Sequence, residues 1–212
     1  MEIAFVIYDG FTALDLVGAY EVIASWPDAR ARFLATERRP HVADNGLIVS
    51  PTDTPESLPR PDVIVIPGSS RPFGPLENQA LLAWIRAAAP HAQWCASVCT
   101  GSSLYAAAGV LGQHPVTTHW AFRDALAGMG ATVSKARVVI DPPFASGAGV
   151  SAGIDMALTL TARIHGEATA RLIQLAIEYD PQPPFDAGSP EKAGPQLVGE
   201  VLTLFAAGLE RT

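Results

Sequence analysis

Short apolar runs, each stopped by a turn signal, alternate along this chain with stretches of helical period. Residues 3–8 are continuously apolar and end at Asp9-Gly10, and residues 62–66 end at Pro67-Gly68-Ser69-Ser70. Residues 93–98 stop at Cys99, followed by a small-residue turn. Runs without polar alternation predict strands buried on both faces, as in a parallel sheet. Between them, residues 11–26 have a helical period, with Leu14, Val17, Ala19, Val22 and Ile23 as the expected apolar face. Residues 77–89 and 104–108 are also expected to be helical, the latter closed by Gly109. Asp44-Asn45-Gly46, between residues 41–43 and 47–49, is a hairpin signal, and that antiparallel piece is expected to decorate the sheet.

Further along, residues 115–120 lead into a helix ending near Leu126, and residues 132–134 and 138–140 read as short strands. Asp141-Pro142-Pro143 interrupts, and residues 144–153 are rich in small residues that permit close backbone approach. Residues 154–164 are apolar nearly all round, as a buried helix is, and Gly166 separates them from a helix at 167–179. A proline-stiffened arm at 180–190 precedes a C-terminal helix at 198–209. The alternation predicts an α/β fold: one domain across residues 1–212, a mostly parallel sheet with helices on both faces (a flavodoxin-like sandwich). Ligand chemistry in such sheets sits at the carboxyl ends of the strands. That edge gathers residues 9–15, Gly68 to Ser70, Cys99, Thr100 and His119.

The chain has 212 residues and 49% hydrophobic residues, enough for one sizeable core. Its net charge of −7 disfavours nucleic acid, which needs a basic patch, and favours a small-molecule partner. No apolar run reaches membrane-spanning length, and residues 1–8 do not read as a signal peptide. Two cysteines four positions apart suit neither a disulfide framework nor a zinc site. A soluble protein of a reducing cytoplasm, with no metal and no cofactor, is expected.

Cys99 is where that edge becomes chemistry. It sits between a strand and a helix, where amides of Thr100, Gly101 and Ser102 are expected to point at its sulfur and favour the thiolate. Cys95, inside the strand, reads as an inert buried thiol. Asp15 falls in the first turn of a helix, where the dipole favours a carboxylate, so a plain helix cap is the alternative to a chemical role. His119 admits two readings: partner of the cysteine, or packed structural residue beside Trp120. The remaining histidines, at 41, 91, 114 and 165, show no ligand spacing.

Residues 5–18, Ile66-Pro67-Gly68, Ser97-Val98-Cys99-Thr100-Gly101, Thr117-Thr118-His119-Trp120 and Ala152-Gly153-Ile154-Asp155 together resemble the ThiJ/PfpI superfamily of the class I glutamine amidotransferase-like fold. With Asp15 and residues 177–185, the pattern is most similar to the isonitrile hydratases within it. The resemblance implies a cysteine nucleophile elbow, a homodimer, and hydration of an isonitrile to an N-substituted formamide without a cofactor. Residue by residue it implies Cys99 as nucleophile, Asp15 as proton donor and Thr100 as the group positioning water or the intermediate. An amide of the Gly68-Ser69-Ser70 loop is expected to join that of Thr100 in an oxyanion-hole role. Phe11, Trp120 and Phe144 are the candidate substrate-binding residues. Ser69, Ser102, Ser103 and residues 141–144 depart from the usual pattern of relatives and bear on substrate identity. Competing readings are a cysteine enzyme acting on another small electrophile, a ligand-sensing domain and a redox sensor.

Overall fold

The computed structural model describes residues 1–209; the last three residues of the expected 1–212 domain lie outside the described residues. The chain runs β1 (Glu2–Val6), α1 (Ala13–Ile23), β2 (Arg30–Leu34), β3 (His41–Val42), β4 (Ile48–Val49), β5 (Val63–Ile66), α2 (Gln79–Ala88), β6 (Trp94–Val98) and α3 (Ser102–Ala107). It continues through β7 (Pro115–Val116), α4 (Arg123–Gly128), β8 (Thr132–Val133), β9 (Val138–Asp141), β10 (Phe144–Gly147), α5 (Ala152–His165), α6 (Glu167–Ala176), α7 (Pro190–Ala193) and α8 (Pro195–Leu209).

Six strands form one sheet in the order β2-β1-β5-β6-β10-β9. Every pairing is parallel except β9 with β10. The apolar runs of β1, β5 and β6 occupy adjacent inner positions, which explains why they lack polar alternation. The first crossover moves from β1 to β2 and the next from β5 to β6, in opposite directions along the sheet. Connections of one hand then place α1 and α2 on opposite faces, with the strand order reversing between β1 and β5. The expected flavodoxin-like sandwich is the observed architecture. The hairpin forms where expected, but β3 and β4 make a separate two-stranded sheet, and β7 with β8 another.

The structure adds one element and corrects one expectation. Residues 144–147, read from the sequence only as the start of a small-residue segment and given no element, form β10, buried throughout and parallel to the cysteine strand. The close approach expected of this segment is met at its end, where a Cβ on Gly147 would stand 2.8 Å from the Ala152 carbonyl oxygen of α5. The correction concerns α1. Leu14 and Val17 are exposed, whereas Asp15, Leu16, Ala19, Val22 and Ile23 are fully buried. The helix is rotated so that its only carboxylate in the first turn faces inward. Contact with α5 sets that rotation: Gly18 meets the Ile154 side chain, and Gly153 lies between Val98 and the Asp15 backbone. A hydrogen bond of 2.7 Å from Trp26 Nε1 to Thr161 Oγ1 ties the end of α1 to the same partner.

Candidate active site

At the end of β6, Val98 is still extended and Cys99 turns into the left-handed region at φ +56°. A non-glycine residue there costs about 1–3 kcal/mol and persists only where the surroundings over-determine it. Here they do. The Cys99 N–H donates to Ala148 O at 2.7 Å, and its carbonyl accepts from Thr118 Oγ1 at 2.9 Å. A short 3-10 turn, Cys99–Gly101, leads into α3. The bend holds the thiol above the strand end.

Burial pushes the Cys99 thiol well above its ordinary range, and the charge of Asp15 adds to the shift. The nearby backbone N–H groups of Thr100 and Val150 favour the charged sulfur and oppose that shift. Among the described residues, the amides that act on the sulfur are those of Thr100 in that turn and Val150 in the segment after β10; those of Gly101 and Ser102, also expected there, are not among them. The resting thiol therefore holds its proton at neutral pH, contrary to the sequence expectation of a free thiolate.

Asp15 is fully buried, which rules out the solvent-facing helix cap. Its Oδ2 accepts the Gly68 N–H at 2.8 Å. Oδ1 is buried without a hydrogen-bond partner among the described residues, and the Cys99 thiol lies close enough to perturb the carboxyl. Loss of solvation raises the carboxyl to about 7, against the opposing Gly68 bond; the nearby charge of Asp44 adds to the rise and the Cys99 thiol opposes it. The Asp15 and Cys99 pair thus holds two protons below about pH 7 and one above it.

Thr100 is committed through its hydroxyl. Oγ1 accepts the Ser69 N–H at 2.8 Å and donates to the Ser69 carbonyl at 3.0 Å. Gly68 and Ser69 amides are thereby engaged with Asp15 and Thr100. Ser69 Oγ also donates to Gly10 O at 2.7 Å and accepts the Arg71 N–H at 3.0 Å, stapling the loops after β1 and β5. Thr100→Val is expected to leave both Ser69 backbone groups unpaired and to cost about 1–3 kcal/mol, whereas Thr100→Ser retains the wild-type urea midpoint within a few tenths of a kcal/mol. Urea denaturation of the two variants checks this.

His119 makes no hydrogen bond to Cys99 among the described residues. Its Nδ1 accepts the Ala121 N–H at 3.3 Å, and burial, with Arg123 nearby, lowers it to about 4, so the ring is neutral at pH 7. It packs among Trp120, Phe122 and Phe205. Trp120 lines a cavity of 360 Å³ with Val150, Ser151 and Arg123. The Phe11 ring is completely buried, edge-on to Tyr8 at 6.4 Å, and supports the loop from beneath. Phe144 is not brought to the elbow: it pairs with Cys95 at the far end of β10 and packs on Tyr105 and His114. Sequence reasoning missed Val150, whose contribution is a backbone amide, and Tyr8, whose buried hydroxyl donates to Pro67 O at 2.6 Å. No side-chain signal could have marked the first.

Known proteins share this arrangement over different lengths of chain. The isonitrile hydratase of Pseudomonas putida is 42% identical over 211 residues, 99% of this chain and 92% of that protein. A crystal structure of a ThiJ/PfpI family protein from Pseudomonas syringae superposes with a TM-score of 0.93 at 36% identity, covering 97% of this chain and 86% of that one. An HTH-type transcriptional regulator of Pseudomonas aeruginosa, CdhR, is 29% identical over 187 residues, 84% of this chain but 53% of the regulator. The DJ-1/PfpI family pattern matches residues 1–163, a span that runs from β1 through the bent cysteine to α5 and so includes every group that holds Cys99 and Asp15: the chain belongs to the DJ-1/PfpI family.

Proposed function

We propose that the protein hydrates isonitriles to N-substituted formamides as a cofactor-independent cysteine enzyme. The observation that carries this reading is the buried carboxyl of Asp15, raised to about 7, beside a cysteine bent into the left-handed region at the end of β6. The match to the Pseudomonas putida isonitrile hydratase across 99% of the chain supports it. Addition to the terminal carbon of R–N≡C needs a sulfur nucleophile and one proton for that carbon. Above pH 7 the pair holds that single proton. Asp15 accepts it from Cys99 as the S–C bond forms and passes it to the carbon, leaving a thioimidate. Water then adds to the same carbon and one of its protons goes to nitrogen. The C–S bond breaks to release the formamide, and the second water proton returns to the Cys99 and Asp15 pair.

Amides of Thr100 and Val150 stabilise negative charge on sulfur during attack and departure. Thr100 acts through its amide, its hydroxyl being the clamp on Ser69. His119, neutral and stacked among aromatic rings, holds the wall beside Val150, with Trp120 lining the adjoining cavity. The free, buried Cys95 and Cys99 support a reducing, cytoplasmic setting. Leu14, Val17, Leu172 and Leu175, exposed on α1 and α6, the two helices that pack on α5, support a homodimer of one domain per chain, since exposed apolar side chains mark association surfaces.

The test is formamide production from cyclohexyl isocyanide, followed by proton NMR from pH 5 to 9. Because Asp15 accepts the proton only when ionised, kcat/KM is expected to fall about tenfold per unit below pH 7 and to level off above it. Formamide at the buffer-only rate would reject isonitriles as substrates. A rate that declines from pH 5 to 8 would reject Asp15 as the acceptor.

A further inference from the structure

We propose that α8 roofs the reaction site and that Phe205 sets the size of the isonitrile substituent accepted; this rests on the hydratase reading. The position of Phe205 follows from contacts on two sides of the nucleophile. On one side, Phe205 and Leu204 line a cavity of 510 Å³ with Gly10, Asp44, Ser70 and Arg71, residues of the loops after β1, β3 and β5. On the other, the Phe205 ring stands edge-on to His119 at 5.3 Å. The His119 ring in turn covers Gly149, where an added Cβ would meet Cδ2 at 2.9 Å. Gly149 immediately follows Ala148, whose carbonyl accepts the Cys99 N–H at 2.7 Å. In the sheet, β6 lies between β5 and β10. A side chain that touches the loop after β5 and the histidine packed on the loop after β10 therefore lies across the end of β6, where Cys99 stands.

Burial agrees with a roof. Cys99 is 5% exposed and Asp15 not at all, so a substrate reaches the sulfur by passing beneath this helix. The cavity under it is of the size usual for small-ligand sites, and Leu204 and Phe205 give it an apolar wall suited to an alkyl or aryl group. The helix lies beyond residues 1–163 matched by the family pattern. The isonitrile hydratase and the Pseudomonas syringae structure cover 99% and 97% of the chain, too much to leave out a helix of 15 residues. The helix thus accompanies these two relatives and lies outside the residues that the family pattern matches, which is where a specificity device is expected.

The experiment compares kcat/KM for methyl and 1-adamantyl isocyanide in the wild type, Phe205→Ala and Phe205→Trp. In parallel, alkylation of Cys99 by N-ethylmaleimide and by N-phenylmaleimide is timed by peptide mass. The adamantyl-to-methyl ratio is expected to rise about tenfold in Phe205→Ala and to fall in Phe205→Trp, the scale on which apolar pockets discriminate size. The phenyl-to-ethyl alkylation ratio should move the same way. If the wild type turns over isonitriles and both ratios are the same in all three proteins, the roof inference fails and the hydratase reading stands. If no isonitrile is hydrated but alkylation selectivity relaxes in Phe205→Ala, the hydratase reading fails and the roof over Cys99 stands.

Discussion

Asp15→Asn is expected to remove turnover and, at the same time, to make the fold more stable above neutral pH. The carboxyl is completely buried, and in the folded chain it titrates at about 7 against an ordinary 3.8. The unfolded chain releases this proton near 3.8, while the folded chain keeps it until about 7. The stability associated with the protonated group is therefore fully present below pH 3.8 and is lost progressively as pH rises to about 7, where the loss levels off. At 1.36 kcal/mol per unit, the loss amounts to about 4 kcal/mol. An asparagine keeps an oxygen for the Gly68 N–H and carries no charge at any pH. Urea midpoints of wild type and variant should lie close together at pH 4 and diverge by pH 8.5, with the variant ahead. Turnover should fall by about 10²–10⁴, the range for loss of a positioned proton-transfer group.

Cys99→Ala separates the two roles of the pair. It should reduce formamide production to the buffer rate while leaving the pH dependence of stability in place, because the buried carboxyl remains. Turnover that survives in Cys99→Ala would end the reading of the elbow as the reaction centre. A wild type whose stability matches that of Asp15→Asn at pH 8.5 would show instead that the carboxyl is solvated, and with it the basis for a shared proton would go.

The apolar runs of β1, β5 and β6 were legible because strands covered on both faces exclude polar residues throughout. The bend at Cys99 was legible because a strand stopped there without a proline or glycine to stop it. What the pattern concealed has a common cause, close packing by small residues. Phe144–Gly147 gives a weak strand signal, since its end is pressed against the start of α5 and admits only Ser146 and Gly147 after Ala145. The inward face of α1 was misjudged for the same reason: Gly18 and Gly153 let the helices approach, and that contact turns Leu14 and Val17 outward and Asp15 inward. From periodicity alone Asp15 remained a helix cap; the family resemblance supplied its role. Val150 was beyond reach, because a backbone amide has no letter of its own and its aim depends on Ala148, which is itself pinned to Cys99 across the gap between β6 and β10.

Gly101→Ala is expected to be the most damaging methyl that can be added to this site. The new Cβ would stand 2.2 Å from the Ile66 carbonyl oxygen and 3.0 Å from that of Pro67, and both are backbone atoms at the end of β5 that no rotamer change can clear. Relief requires the turn after Cys99 to move away from the end of β5, and the same movement pulls Thr100 Oγ1 off Ser69 and Cys99 away from Asp15. Overpacking at a rigid contact of this kind costs about 3 kcal/mol, and a displacement near 1 Å at the reacting atoms costs about a hundredfold in rate. Chemical denaturation and formamide assays on the same preparation check both. Gly109→Ala provides the comparison: its φ is +73° but nothing lies within 4 Å of the added carbon, so it should lose about 1 kcal/mol through backbone strain and keep its rate. If the two variants are equally active, contact between the cysteine turn and β5 does not position Asp15 against Cys99, and the pair must be held by α1 and α5 alone.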